Sequence, residues 1–126
     1  MIIGIGTDIV EKRRIAQSIS RFGDRFTRRI LTSKELHQCV EKSDHIGSIA
    51  GRFAAKEALF KALGTGWAEG VGWKDVEILS APNGRPVVQL SGKPACMCED
   101  IHVHVSISHE KENAIAFVIL EKPEGG

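Results

Sequence analysis

The sequence predicts a single α+β domain, residues 1–126, with a mostly antiparallel sheet. Three observations carry this. Met1 to Val10 alternates like a strand, a long helical segment runs from Asp44 to Leu63, and the C-terminal half breaks at turn residues into short alternating runs. The expected order is strand, three helices, two strands, a short helix and two strands, with a frayed tail from about Lys122 to Gly126.

In the first strand Ile3, Ile5, Thr7 and Ile9 share one face, and Ile2, Gly4, Gly6, Asp8 and Val10 the other. The two glycines are expected to leave room for a ligand beside Asp8. Taken alone, an Asp at a strand end more often caps the helix that follows. Gly4-x-Gly6 is not a dinucleotide fingerprint, because Ile9 stands where the third glycine belongs.

Glu11 to about Phe22 reads as a helix whose apolar stripe, Ile15, Ile19, Phe22 and then Phe26, is open to a bend or break at Gly23. Arg14, Arg21, Arg25 and Arg28 form a second stripe roughly a third of a turn away. Thr32-Ser33-Lys34-Glu35 has capping-box form and predicts a short helix to about Glu41. In the long helix, Ile46, Ile49, Ala50, Phe53 and Phe60 mark the inward face, and Gly64 suits a left-handed stop. Glu57 falls on that same face. A carboxylate there needs a metal, hydrogen bonds, or an ion pair with Lys61 one turn further on.

Gly64 to Gly72 is a glycine-rich loop directly after Lys61. It lacks the Gly-Lys-Ser/Thr of a Walker loop, yet its backbone N–H groups can approach phosphates closely. Trp73–Ser80 and Val87–Leu90 read as a hairpin about Asn83-Gly84, and Gly92 to Asp100 as one or two helical turns. Ile101 to Ser108 directs Ile101, Val103, Val105 and Ile107 inward and His102, His104, Ser106 and Ser108 outward. After the turn from His109 to Asn113, Ala114 to Leu120 forms a last, more continuously apolar strand.

Composition narrows the function classes. No apolar run approaches the ~20 residues that span a bilayer, and the N-terminus lacks the basic and long apolar regions of a signal peptide. Cys39 and Cys96-x-Cys98 suit neither a structural zinc nor a redox pair, so free thiols in the cytoplasm are expected, with no membrane partner. The net charge of +1 conceals a basic segment. Glu11 to Arg29 carries seven basic residues against two acidic ones, net +5, which leaves −4 for the remainder. Such a patch on a near-neutral chain suits one acidic partner better than nucleic acid, for which seven aromatic residues also offer little stacking. His102-x-His104 has metal-ligand spacing, but no third ligand lies near it in sequence, which disfavours a metal hydrolase.

Three signals occur together: Gly4-Ile-Gly-Thr-Asp8, Phe53-Ala-Ala-Lys-Glu57-Ala-x-x-Lys61-Ala, and Ser106-Ile-Ser-His109. In this order the chain resembles the holo-acyl-carrier-protein synthases, the small group of the 4′-phosphopantetheinyl transferase superfamily, from Ile3 to about Glu121. The Gly64-Thr65-Gly66 loop, the Asn83-Gly84-Arg85-Pro86 turn and the Ala50-Gly51-Arg52-Phe53 lead-in belong to the same likeness. The resemblance implies Mg²⁺-dependent transfer of phosphopantetheine from coenzyme A to a serine of an acyl carrier protein, releasing adenosine 3′,5′-bisphosphate, a step of fatty acid biosynthesis. It also implies a homotrimer with each active site at a subunit boundary.

Carried over by position, Asp8 and Glu57 would hold Mg²⁺, and Lys61 with Gly64, Thr65 and Gly66 would hold phosphates. His109, Arg52, Arg85 and Pro86 would contact the nucleotide's 3′-phosphate or base. The acidic carrier would meet the Arg14, Arg21, Arg25 and Arg28 row. Two carboxylates from separate elements are enough for Mg²⁺, which completes its shell with phosphates and water. Phosphoryl transfer in turn asks mainly for positioning and charge neutralisation. Glu57, Asp8 and a metal-bound water each suit the general-base role. Glu110 departs from the family pattern, adding a negative charge beside His109 where a small hydroxylated residue is frequent.

Overall fold

Strand β1 (Ile2–Glu11) and helix α4 (His45–Leu63) pack against each other, and the other elements are arranged around that pair. The computed structural model describes residues 1–64 and 72–124. Between β1 and α4 lie helices α1 (Lys12–Phe22), α2 (Asp24–Ile30) and α3 (Ser33–Glu41). After α4 come a 3₁₀ turn (Trp73–Asp75), strands β2 (Val76–Ser80) and β3 (Pro86–Leu90), helix α5 (Gly92–Met97), and strands β4 (His102–His109) and β5 (Asn113–Glu121). The fold is the expected α+β arrangement. One antiparallel sheet has the order β1-β5-β4, and β2 with β3 makes a separate antiparallel hairpin.

The helix ends follow the sequence signals. Thr32 and Glu35 form the full capping box of α3: the Thr32 hydroxyl accepts from the Glu35 N–H, and the Glu35 carboxylate accepts from the Thr32 N–H. Asp44 caps α4 by accepting from the Gly47 N–H at 2.8 Å, and Gly64 ends it in the left-handed region at φ 77°. The single inward stripe expected for α4 does not describe it, however. Ala50, Ala54, Ala55, Ala58, Leu59 and Phe60 are all buried, because the sheet covers one side of the helix and α1 and α3 cover others. Glu57 is half-buried in this setting.

Gly4 and Gly6 serve packing, which corrects their reading as space for a ligand. A Cβ built on Gly6 would lie 1.9 Å from the Ala58 carbonyl oxygen, and one on Gly4 2.5 Å from that of Ala62. The helix backbone occupies the room those glycines leave. This close approach turns the isoleucines of β1 away from the core. Ile3, Ile5 and Ile9 are 45%, 58% and 65% exposed, and Ile115 and Phe117 of β5 add to the same outer face. The inner face is Ala114, Ala116, Val118 and Leu120 with Val103, Val105 and Ile107.

Gly23, at φ 59° and ψ −136°, separates α1 from α2. The arginine row is therefore divided between two helices, with Arg14 and Arg21 on α1 and Arg25 and Arg28 on α2, all exposed. Phe22 leaves the core stripe as a result. It is 47% exposed, with the Arg21 guanidinium 5.2 Å from its ring. Trp73, read as the start of a strand, instead lies in the 3₁₀ turn and stacks on Phe53 at 5.0 Å. Lys122, expected in the tail, exchanges two backbone hydrogen bonds with Met1. Thr65 and Gly66 fall outside the described residues.

Candidate active site

The predicted site residues fall into two groups along α4. The first is at the seam with β1. Asp8 follows Gly4 and Gly6 on the face of β1 that meets α4, and the Lys61 ammonium donates to its carboxylate at 3.0 Å and to the Thr7 carbonyl at 3.1 Å. Asp8 is therefore not the cap of α1, which has no side-chain cap. Glu57 lies one turn before Lys61, on the same side of α4. Asp8 and Lys61 meet at an open edge, where the Lys61 side chain is 55% exposed, and Glu57 stands one helical turn before Lys61. No cluster of three or more metal-ligating side chains occurs among the described residues. The donor set at the seam fits Mg²⁺, which takes one or two carboxylates and leaves the remaining positions to phosphates and water.

The second group lines a cleft of about 350 Å³ beside the first half of α4. Arg52, Pro86 and His109 all face it, together with Ser48, Gly51, Ser80 and Gly84. Arg85 is exposed on the turn between Gly84 and Pro86, outside that lining. Gly51 lies against Ile107, and Gly47 against the His109 ring. At the rim, the Asp44 carboxylate accepts from Lys12 at 2.7 Å and lies 3.7 Å from His109 Nδ1. The Lys12 hydrogen bond and the Gly47 amide hold Asp44 below the usual carboxylate range.

Glu110 does not stand free beside His109. Its carboxylate turns back to accept from the backbone N–H groups of Glu112 and Asn113. Desolvation pushes its pKa up, and those amides more than offset the push, so the carboxylate is held below its ordinary range. His102 and His104 are exposed on the outer sheet face, where His104 pairs with Glu121 at 3.0 Å.

Arg52 is only 5% exposed, and the acceptors around its guanidinium are all neutral. Nε donates to the Ile78 carbonyl at 2.9 Å, Nη1 to Ser48 Oγ at 2.7 Å and Ser48 O at 3.4 Å, and Nη2 to Gln38 Oε1 at 2.9 Å and Ser80 Oγ at 3.5 Å. A second buried cation escaped the sequence reading altogether. Lys56 is fully buried with Glu35, at 2.7 Å, and also donates to the carbonyls of Ile30 and Trp73. Burial pulls the Lys56 ammonium below its ordinary range, against the pull of the Glu35 carboxylate. The Glu35 carboxylate also accepts from the Ile78 N–H, so one ion pair ties α2, α3, α4 and β2 together beneath the cleft. Its only sequence signal was a lysine among alanines, and the capping box had already accounted for Glu35.

Residues 4–118 match the model of the 4′-phosphopantetheinyl transferase superfamily. The chain belongs to that superfamily. Within it, the chain is an enzyme of the holo-[acyl-carrier-protein] synthase group. It is 49% identical over 124 residues to the holo-[acyl-carrier-protein] synthase of Koribacter versatilis, covering 96% of this chain and 99% of that one. Among solved structures it is similar to the holo-[acyl-carrier-protein] synthase of Neisseria meningitidis, with TM-score 0.85, 38% identity, and 97% and 100% of the two chains covered. It is also similar to the Bacillus anthracis synthase in complex with CoA (3′,5′-ADP), with TM-score 0.82, 41% identity and 98% and 99% covered.

Proposed function

We propose that this enzyme transfers 4′-phosphopantetheine from coenzyme A to a serine of an apo-acyl carrier protein in a Mg²⁺-dependent reaction. Adenosine 3′,5′-bisphosphate is the second product, and the reaction serves fatty acid biosynthesis in the cytoplasm. The observation that carries this reading is the contact of Lys61 with Asp8 at the seam between α4 and β1, one helical turn from Glu57. In the reaction the serine oxygen forms a bond to the phosphorus that carries pantetheine, and the pyrophosphate linkage to the nucleotide breaks. Asp8 and Glu57 would hold Mg²⁺, which when bound neutralises the pyrophosphate charge. Lys61, held at the seam by Asp8 and Thr7, supplies a further cation for the phosphates. Arg52, Pro86 and His109 suit the nucleotide half, as one cationic, one apolar and one aromatic group on a single cleft. That a similar Bacillus anthracis enzyme was solved with CoA (3′,5′-ADP) supports the donor.

The carrier docks on the exposed arginines of α1 and α2. Arg21 lies over the outward Phe22 ring, Arg14 is exposed two turns earlier on the same helix, and Arg28 borders a groove floored by Leu31, Leu36 and Val40. A basic rim around apolar groups suits an acidic protein surface. Ile3, Ile5, Ile9, Ile115 and Phe117 form an apolar sheet face that asks for a cover, and a homotrimer supplies it. Light scattering then gives three times the 13.8 kDa chain mass, and a fully active monomer rules the trimer out.

The deciding experiment incubates the protein with coenzyme A, Mg²⁺ and an apo-carrier protein and weighs the carrier. A gain of one phosphopantetheine, abolished by a chelator, is expected. An unchanged carrier mass overturns the proposal.

A further inference from the structure

The outward edge of β2 is hydrogen-bonded to side chains where a neighbouring strand would otherwise lie. At Ile78 the N–H donates to Glu35 and the carbonyl accepts from Arg52, both at 2.9 Å. At Ser80 a single carboxamide serves both groups. Gln38 Oε1 accepts from the Ser80 N–H at 2.7 Å, and Gln38 Nε2 donates to the Ser80 carbonyl at 3.1 Å. Gln38 thus does what a peptide group of an adjacent strand does. Its Oε1 also accepts from Arg52 at 2.9 Å, so the same oxygen ties the hairpin to the guanidinium. Gln38 itself is absent from the cleft lining, whereas Arg52, Ile78, Ser80 and Pro86, which it holds directly or through the hairpin, all line the cleft.

The neutrality of this side chain matters as much as its geometry. The hydrogen-bond partners of the buried Arg52 are a carbonyl of Ile78, the hydroxyl and carbonyl of Ser48, the hydroxyl of Ser80 and the amide oxygen of Gln38. A cation with a buried guanidinium is ordinarily paired with a carboxylate. Here none of the groups that orient it cancels its charge, and it stands in the wall of a cleft.

We propose that Gln38 is a positioning residue for the nucleotide half of the donor. Its carboxamide fixes the β2–β3 hairpin and the Arg52 guanidinium as one unit, and its lack of charge keeps the Arg52 cation available to a phosphate in the cleft. This rests on coenzyme A being the donor. The phosphate concerned is the one outside the reacting pyrophosphate, on the ribose, so Gln38 governs preference for a 3′-phosphorylated nucleotide and not the chemical step.

Two substitutions separate the geometric role from the electrostatic one. Gln38→Glu keeps an acceptor for Ser80 and Arg52 but adds the carboxylate that Arg52 lacks. The ratio of kcat/KM for coenzyme A over 3′-dephospho-coenzyme A should fall about tenfold, the scale of one charge-assisted contact, with kcat at saturating coenzyme A changed less than about twofold. A purely structural glutamine predicts the opposite, because an ion pair between Arg52 and the introduced carboxylate would leave the fold intact and the ratio unmoved. Gln38→Met stays neutral and loses the three hydrogen bonds. It should raise KM for coenzyme A by about threefold or more while kcat holds. An unchanged ratio in the first variant, or an unchanged KM in the second, overturns the proposal. Calorimetric titration with adenosine 3′,5′-bisphosphate and with AMP asks the same question without turnover. If the wild type transfers nothing, the transferase reading fails, while the titration still decides the role of Gln38: loss of preference for the bisphosphate in Gln38→Glu supports it, and equal preference overturns it.

Discussion

Lys61 reaches across the seam between α4 and β1 to the carboxylate of Asp8, at 3.0 Å. The i,i+4 spacing had suggested Glu57 as its partner, yet the lysine bonds the strand beside it. That contact places an acid from one element and a base from another at the same edge. Asp8→Asn and Glu57→Gln are each expected to abolish Mg²⁺-dependent transfer while the chain stays folded. Circular dichroism and a carrier-mass assay measure the two properties. Normal turnover in Glu57→Gln would remove it from the metal site.

The seam itself is set by glycine. Gly6→Ala brings a methyl group within 1.9 Å of the Ala58 carbonyl oxygen, a backbone atom that no rotamer change can move away. The expected cost is about 1–3 kcal/mol or more, the range for overpacking. A denaturation midpoint equal to wild type would show that β1 and α4 are not in such close contact.

The Glu35–Lys56 pair predicts a larger loss. Both side chains are fully buried, so removing either one strands the other's charge. Lys56→Met or Glu35→Gln should cost about 3–5 kcal/mol in urea unfolding. The double substitution should cost less than the two single losses added together, because the groups share one interaction. Simple additivity would indicate that they do not act as a pair.

Acid should act on Asp44 in a definite direction. Its pKa is depressed in the folded chain, so its contribution is complete above the ordinary value of 3.8 and fades as the pH falls below that through the lowered value. Asp44→Asn keeps a competent helix cap but loses the Lys12 pairing. Thermal melts from pH 7 to pH 2 should show a wild-type advantage that disappears at the acid end. A constant difference at every pH would assign the effect to something other than titration.

Charge reversal on the arginine face tests docking. Arg14→Glu or Arg21→Glu should raise KM for the carrier, most visibly at low salt, and leave affinity for coenzyme A almost unchanged. Exposed charges are screened over about 8 Å at physiological ionic strength, so salt should weaken carrier use by the wild type too. If KM stays fixed across a salt series in both variants, the arginines form only a solvated face.

The sequence was most informative where local chemistry decides structure. Thr32 with Glu35, Asp44 and Gly64 marked helix ends through hydrogen-bonding capacity and backbone freedom, and alternation marked β4. It was least informative where one residue serves distant partners. Glu35 reads as a capping residue, which it is, yet its carboxylate also meets Lys56, 21 positions away, and Ile78, 43 away. Gly4 and Gly6 carry no side chain from which a partner could be inferred, so their contact with α4 appears only in three dimensions. The candidate site was read from the sequence only through the resemblance to a family. That Arg52 is held by neutral groups was not legible, because Gln38, Ser48 and Ser80 come from three separate elements or their edges.

The outward isoleucines of β1 carry a consequence for handling the enzyme. A sheet apolar on both faces leaves one face uncovered in a single chain, so the assembly proposed above would be subject to mass action. Specific activity would then depend on how far the sample is diluted, and thermal midpoints would climb with protein concentration. Assays at nanomolar enzyme would report assembly as much as catalysis.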